Sequence, residues 1–412
     1  MPHHHPRTVR ALGLLWVTTA LWACADKPDQ VDSSEDAIPG PCVGDGWGAA
    51  VEPAAAVHVR EGGDDAAAGS LDAPLATLEA ALALAVQSGG GAEVFVGPGA
   101  FDAQLELFDT TAATSPFQGL SITGCGPEET TLTGPSTDPA IWGTEVQGVT
   151  LAGFAVEGGR PGILFTTESA LTVSDVAVRG AAVAGIRVVG SDTLFDTVEV
   201  LDTTPARLGD QLLGVGVIVQ RGEAVVTGGR IEGSTSVGLL ADSVAALSVN
   251  GLTVSNTSTS WDGLYGRGIQ LQGESDAVEV VNAELLDSAD AGLFALEVAN
   301  LTVQDTVISG VAAATTSGGS ATGDGLVVTQ GEDNLNPAWF TATVTGTSVA
   351  LADRSAAVFS GVTAQVDGND YGGGDLVTQS GAALSGGDAA AAVDRTDSPL
   401  AINLDLLNAE AQ

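Results

Sequence analysis

The chain is poor in basic residues. Lys and Arg number 13 against 52 Asp and Glu, for a formal net charge of −39, and Lys27 is the single lysine. Such a surface repels the phosphates of nucleic acids and anionic lipids, so we expect neither as a partner. Histidine is also scarce, because only His58 follows His3, His4 and His5. The sequence contains no nucleophile triad, zinc-ligand spacing or phosphate-binding loop.

Aromatic residues are also few, at 4% of the chain, although 44% of the residues are hydrophobic. Val, Leu, Ala and Gly dominate, and the apolar positions recur regularly. That regularity excludes disorder for most of the chain. Small side chains suit thin stacked units, so we expect one elongated domain rather than several globules.

The N-terminus has the pattern of an export signal. Arg7 and Arg10 precede an apolar run at 11–23 that is too short to span a membrane as a helix. We therefore predict that residues 1–23 are a signal peptide, which would be removed together with the three N-terminal histidines.

The apolar run ends in Leu-Trp-Ala-Cys at 21–24, which resembles a bacterial lipobox. The resemblance implies a lipid on Cys24 and a tether at 24–41, which is acidic and contains proline. Ordinary secretory cleavage is the alternative. Ala25 in place of Asp implies, by the same resemblance, the outer membrane, on its periplasmic or extracellular face. We expect a monomer that contacts the membrane only through this lipid.

A sharp corner between two alternating apolar runs repeats along the chain. Leu-Thr-Val-Ser-Asp-Val-Ala-Val at 171–178 shows it best. Each corner follows an apolar residue by two positions and is Gly, Asp or Asn, which enter positive φ at low cost. The predicted corners are Gly153, Asp175, Asp196, Gly228, Gly251, Asn282, Asp305 and Gly346.

A glycine followed by an aliphatic residue is a second marker of the repeat. These glycines are Gly162, Gly185, Gly216, Gly238, Gly268, Gly292 and Gly325. Their spacing alternates between 22–24 and 30–33 residues, and the extra length falls in the same arm of every second repeat. Periods of this size with short strands indicate a solenoid, and glycine corners between strands favour an all-β, single-stranded parallel β-helix.

The chain resembles, over about residues 56–385, the right-handed parallel β-helix of the pectin-lyase-like superfold in bacterial repeat surface proteins. A strand, a Gly-rich loop, a helix starting at Pro74 and a further strand carry the resemblance. We predict a strand, loop and capping α-helix within 42–90, the β-helix at 91–388 and a C-terminal cap at 389–412. The predicted apolar stripe of the helix is Leu75, Leu78, Leu82 and Val86.

Two cysteines follow the predicted tether, Cys42 and Cys125. Thiols oxidise in exported proteins, so we predict one disulfide that ties the segment after the tether to an early coil. Two unpaired thiols are the alternative.

Three long arms, at about 201–213, 256–267 and 310–324, belong to alternate coils and should form one raised face. Loops on a rigid scaffold often carry binding sites, so we predict a shallow groove for sugars or a cation there. The candidate ligand-binding residues are Asp210, Trp261, Asp262, Tyr265, Arg267 and Asp324, with the two aromatic rings as stacking platforms. The alternative is that these side chains pin the loops to the solenoid.

Calcium is the one cofactor that the sequence suggests. The segment 367–375 resembles the Gly-Asp repeats of calcium-binding β-rolls, but those sites need stacked copies and only one is present. A Gly-rich turn is therefore the alternative. The candidate metal ligands are Asp210, Asp262, Asp370 and Asp375.

For function, we expect a surface-anchored β-helix without catalytic activity, either structural or binding a glycan or cation. Its partner would be a polysaccharide or another surface protein. The alternative is a lyase or hydrolase of acidic polysaccharides, since the superfold includes pectate lyases and polygalacturonases. The Gly-His-Gly and Asn-Thr-Asp motifs of polygalacturonases are absent. We assign no catalytic residue, and whether the protein is an enzyme stays open.

Overall fold

The computed structural model describes residues 42, 56–108, 116–167, 169–208, 211–260, 263, 265–314, 322–330, 337–397, 399–400 and 402. Within them the chain winds through successive coils, and nearly every strand pairs in parallel with the strand one coil earlier or later. The fold is a right-handed parallel β-helix, as predicted.

Three stacks of strands form the walls, and each full coil passes through the first, second and third stack in turn. Two long strands, Val149–Glu157 and Ala170–Arg179, bend at the first corner and belong to the first and second stacks. The other strands of the first stack are Val57–Val59, Glu93–Val96, Ser121–Thr123, Asp192–Asp196, Glu223–Thr227, Ala246–Asn250, Ser275–Val281, Val298–Gln304, Thr341–Thr345, Thr363–Asp367 and Ala383–Ser385.

The second and third stacks complete each coil. The other strands of the second stack are Gly99–Asp102, Thr130–Thr133, Glu199–Leu201, Arg230–Glu232, Thr253–Thr257, Glu284–Ser288, Val307–Ser309 and Ser348–Ala350. The third stack consists of Leu105–Leu107, Ile141–Thr144, Ile163–Thr166, Val183–Val189, Gln211–Gln220, Ser236–Asp242, Arg267–Gln272, Ala291–Leu296, Asp324–Thr329, Ser355–Ser360, Leu376–Gln379 and Val393–Asp394. A short strand, Ala206–Leu208, pairs antiparallel with the start of Gln211–Gln220.

The core lies between the stacks and is built from columns of small apolar residues. Residues paired in register face the same way, so an apolar residue in one coil stacks on its counterpart in the next. One such column contains Leu151, Val173, Phe195, Val226 and Val249, all of them buried. No coil can bury this surface alone, which is why the fold requires repetition.

The first corner has the left-handed backbone that the sequence predicts, with one exception. Seven of the eight predicted corner residues have φ between 47° and 74°. The prediction of a corner at Asp196 was wrong. The corner is Thr197, at φ 54°, because Asp196 pairs with Thr227 and still belongs to the strand. The apolar residue two positions before Asp196 is Leu194, which is exposed, whereas Phe195 two before Thr197 is in the core.

A second corner follows the first by five residues in each of eight coils. These residues, all at positive φ, are Gly158, Gly180, Asp202, Gly233, Asn256, Asp287, Gly310 and Leu351. A third corner, after the third stack, accepts many residue types. It contains Glu145, Thr167, Gly190, Arg221, Ser243, Gly273, Glu297, Gly361 and Ser380.

One α-helix, Leu78–Ser88, packs against the first two strands of the first stack. It begins later than predicted from Pro74. Thr77 is the N-cap and its hydroxyl accepts a hydrogen bond from Ala80 N, while Asp65 accepts bonds from the backbone of Thr77 and from its hydroxyl. Of the predicted apolar stripe, Val86 is exposed and the other three residues are buried.

The ends of the β-helix differ from the predicted boundaries. Strand Val393–Asp394 still pairs in the third stack, so the solenoid extends past 388, and a 3₁₀ turn, Asp388–Ala391, precedes it. Of the predicted cap at 389–412, residues 398, 401 and 403–412 lie outside the described residues. The predicted signal peptide and tether lie outside them as well. No helix in the described part of the chain is long and apolar enough to cross a membrane.

Cys42 and Cys125 are joined by a disulfide. Both are buried and pack with Ala56 and Phe95. The bond ties the segment ahead of the β-helix to one of its first coils.

Candidate functional site

The long arms all connect a second-stack strand to a third-stack strand. Of the candidate ligand-binding residues on them, Asp210, Trp261 and Asp262 lie outside the described residues. Tyr265, Arg267 and Asp324 are described and are buried. At 8%, 0% and 2% exposure these three side chains are packed inside the fold rather than presented to a ligand at the surface, which corrects the prediction for them.

Arg267 is held in a structural contact rather than presented to solvent. Its Nε donates to Asp290 Oδ2 at 2.8 Å, and its guanidinium lies 3.7 Å from the ring centroid of Phe294. The ring of Tyr265 lies 5.9 Å away. Asp290 also accepts a short hydrogen bond from the hydroxyl of Thr322. The end of the second arm is thereby joined to the end of the third.

Asp324 forms the next ion pair along the same stack. Arg354 Nε donates to its Oδ1 at 2.9 Å, and a second guanidinium nitrogen donates to Oδ2. Burial raises the pKa of Asp324, opposed by the hydrogen bond and charge of Arg354, while the charge of Asp290 adds to the rise. The positive charges of Arg267 and Arg354 thus offset the negative charges of Asp290 and Asp324.

The Gly-rich segment forms turns. The Oδ1 of Asp370 accepts a hydrogen bond from Gly372 N at 3.0 Å, and Asp375 lies 3.9 Å from Arg395. Among the described residues there is no group of three or more His, Cys, Asp or Glu side chains that could hold a metal ion. The hydrogen bond of Asp370 is that of a Gly-rich turn, which was the alternative interpretation, and calcium binding stays a prediction.

A groove of about 740 Å³ runs along the outer face of the first stack. Its floor includes two aliphatic side chains, Leu194 and Val225, which are 41% and 46% exposed. Hydroxyls flank this floor in register, from Thr172 on one side and Ser248 on the other. The groove crosses the strands from coil to coil, so it follows the direction of the stack.

Carboxylates border the groove. Asp192 and Glu223 occupy one column on neighbouring coils, and Asn300 lies further along it. Glu279 lines the groove from the column that contains the two aliphatic residues. None of the described residues that line the groove is Lys, Arg or His. The surface can therefore pack against C–H groups and accept hydrogen bonds from hydroxyls.

This groove was not predicted from the sequence, although the sequence contains a signal for it. In a half-buried strand apolar and polar residues alternate, so two adjacent large apolar residues leave one of them outside. Leu194-Phe195 and Val225-Val226 are such pairs, on neighbouring coils. The outer member of each pair forms the floor.

The structure thus defines a right-handed parallel β-helix with an open groove on one stack of strands. Residues 161–335 match the family described as "Right handed beta helix region". No curated protein sequence matches the chain.

Several solved structures are similar to the chain. The A-module of mannuronan C-5 epimerase AlgE4 of Azotobacter vinelandii is 12% identical, with 79% of this chain and 97% of that chain covered and a TM-score of 0.36. The Agl-KA catalytic domain is 12% identical, with 82% and 69% covered and a TM-score of 0.49. Pectate lyase Pel9A is 12% identical, with 84% and 82% covered and a TM-score of 0.36.

Proposed function

We propose that this protein binds an uncharged polysaccharide in the groove of the first stack, without cleaving it, at the bacterial envelope. The observation that carries the proposal is the aliphatic floor of Leu194 and Val225 between hydroxyls and carboxylates. A pyranose ring has the complementary chemistry, with C–H groups on its faces and hydroxyls at its rim. Concave surfaces that combine apolar area with a few polar groups are typical of ligand sites.

The charge of the groove favours an uncharged ligand. Asp192, Glu223 and Glu279 line it, and the whole chain has a formal net charge of −39. An acidic polysaccharide would meet like charge both on approach and in place. A neutral chain meets no such repulsion and can donate its hydroxyl protons to the carboxylates.

Hydrolysis of an uncharged polysaccharide is the second candidate function. Asp192 and Glu223 lie on neighbouring coils, whose strands are about 4.8 Å apart. The two carboxyl groups of retaining glycosidases are separated by roughly 5 Å. The position of these two residues on one column makes them the pair to test for cleavage.

The binding test is retention on immobilised neutral, amino-sugar and uronic polysaccharides, with released reducing ends measured separately. We expect retention on a neutral polysaccharide and no cleavage. Val225→Glu places a charge on the floor and should reduce retention at least tenfold. Val307→Glu is the matched control, because Val307 is 41% exposed on the second stack, outside the groove.

Two results would contradict the proposal. Retention unchanged by Val225→Glu would remove the groove as the site. Cleavage that is lost in Glu223→Gln while retention persists would replace binding with hydrolysis.

We further propose that the protein is exported and anchored by a lipid on Cys24. The buried disulfide between Cys42 and Cys125 supports export, because such bonds persist in oxidising compartments. Cys24→Ser should release the protein in soluble form or leave its precursor unprocessed. Unchanged membrane partition of this variant, with no lipid label on the wild type, would contradict anchoring.

A further inference from the structure

Trp339 is the one aromatic side chain in the described part of the chain that is largely exposed, at 61%. Its neighbour Phe340 is buried in the core. Exposing an indole while a phenyl ring is buried beside it leaves a large apolar surface in water. Such a surface is typical of a residue that contacts a ligand.

Strand pairing places the coil that contains Trp339 directly after the last coil that lines the groove. The residue ends the 3₁₀ turn Pro337–Trp339, which leads into strand Thr341–Thr345. Thr341 pairs with Asn300, which lines the groove, and the Thr341 hydroxyl donates to Ala299 O at 3.1 Å. Trp339 therefore lies one coil beyond the groove, two residues before Thr341, which continues the column of Asp192, Glu223 and Asn300.

We propose that Trp339 is a stacking residue for the sugar at one end of the bound polysaccharide, and that the polysaccharide runs across the coils along the first stack. This inference rests on the proposed function. The indole ring offers an exposed apolar surface one coil beyond the groove, and Leu194 and Val225 offer another within it, so a ligand that spans the coils contacts both. Gluco-configured and manno-configured sugars in β-linkage present C–H faces of the required kind.

The length of the site follows from the strand spacing. Between strand Ala170–Arg179 and strand Thr341–Thr345 the first stack advances six coils, which is about 29 Å. The advance per coil is similar to the length of one pyranose in an extended chain. An oligosaccharide of roughly six sugars would therefore reach from the far end of the groove to Trp339.

The experiment is calorimetric titration of the full chain with cello-, manno- and xylo-oligosaccharides, from dimers to octamers. We expect affinity to rise with length up to about the hexamer or beyond. Trp339→Ala should weaken the octamer roughly five- to tenfold, and Trp339→Phe should restore part of that loss. Leu351→Ala is the control, because Leu351 is 78% exposed at the end of the second stack and should leave affinity unchanged.

The direction of the bound polysaccharide along the stack is tested with two variants, each titrated with the same oligosaccharides. If the polysaccharide crosses the coils, Val225→Glu should remove the gain in affinity from dimer to octamer. Equal octamer affinity in wild type and Trp339→Ala would overturn the inference while leaving the groove as a site. Failure of the wild type to bind any of the three series would overturn the proposed function itself, and the role of Trp339 with it.

Discussion

Arg267 and Asp290 form an ion pair from which solvent is excluded. Their side chains are 0% and 3% exposed, and Nε lies 2.8 Å from Oδ2. The two residues come from neighbouring coils, since Arg267 pairs in register with Ala291. Because the Thr322 hydroxyl donates to the same carboxylate, the pair fastens both the second and the third arm to the solenoid.

Removing one member of this pair should be strongly destabilising. Asp290→Ala leaves the guanidinium of Arg267 buried without its carboxylate, which typically costs about 3–5 kcal/mol of unfolding free energy. Urea denaturation measures this loss of unfolding free energy. Glu199→Ala is the control: it breaks an ion pair with Arg230 whose side chains are 38% and 43% exposed, and should change stability by less than about 1 kcal/mol. Similar effects of the two variants would show that burial does not matter here.

The Asp324 carboxyl should make stability fall as pH rises through its titration. Burial raises its pKa above 3.8, against the opposing effect of Arg354. The folded chain then keeps a proton that the unfolded chain has already released, so stability is lost as pH rises from 3.8 through the raised pKa. In Asp324→Asn that loss should disappear, which urea unfolding at several values between about pH 4 and pH 6 would show.

Asp367 provides a control, because the pKa of its carboxyl is shifted in the direction opposite to that of Asp324. The hydrogen bond from the Gln365 side chain, and then that from Gly387 N, lower the pKa of its carboxyl. Its contribution to stability is present above 3.8 and is lost as pH falls through the lowered pKa. Asp367→Asn should therefore remove stability at neutral pH relative to acid. The same pH slope in both variants would contradict these assignments.

The coil architecture could be predicted because backbone geometry restricts residue type at the first corner. The second corner could have been found as well, since it follows the first by five residues and is Gly, Asp or Asn in seven of eight coils. The third corner could not. Residues such as Glu145, Arg221 and Ser243 adopt positive φ there, so tertiary pairing overrides local preference and composition gives no signal.

The candidate site could be predicted only in part, because sequence does not reveal which side of a strand is covered. Arg267 and Asp324 were chosen as exposed charges, but each is buried and paired with a residue of opposite sign from another coil, Asp290 and Arg354. Those partners are 23 and 30 residues away, and only strand register brings them together.

Gly238, on the third stack, packs closely against a strand of the second stack. A Cβ added there would lie 2.3 Å from Val254 Cγ1 and 2.6 Å from the carbonyl oxygen of Gly268. We expect Gly238→Ala to destabilise by about 1–3 kcal/mol, because neither neighbour can move without shifting a strand. Gly387→Ala is the control, since its Cβ would meet only the Asp367 carboxylate at 3.2 Å. Thermal unfolding of the two variants should differ clearly, and equal melting temperatures would contradict the close packing.

Thr197 is the β-branched member of the first-corner column, at φ 54°. Asn enters this backbone region more easily than Thr, so Thr197→Asn should stabilise by about 1 kcal/mol. Asp196→Asn should have little effect, because Asp196 belongs to the strand. Gly228→Val, at φ 63°, should destabilise by more than about 1 kcal/mol. A destabilised Thr197→Asn would indicate that its side chain has a role beyond the corner.

Charge should set the dependence of stability on salt. With 52 acidic against 13 basic side chains, self-repulsion opposes the compact coils, and salt relieves it by screening. We expect the melting temperature to rise with NaCl.

Millimolar CaCl₂ at matched ionic strength separates binding from screening, because only coordination adds a further rise. If Asp210 and Asp262 bind calcium, Asp262→Ala should remove that extra rise and leave the NaCl effect intact. Equal melting temperatures in matched Ca²⁺ and Na⁺, in wild type and variant, would leave these carboxylates as solvated surface.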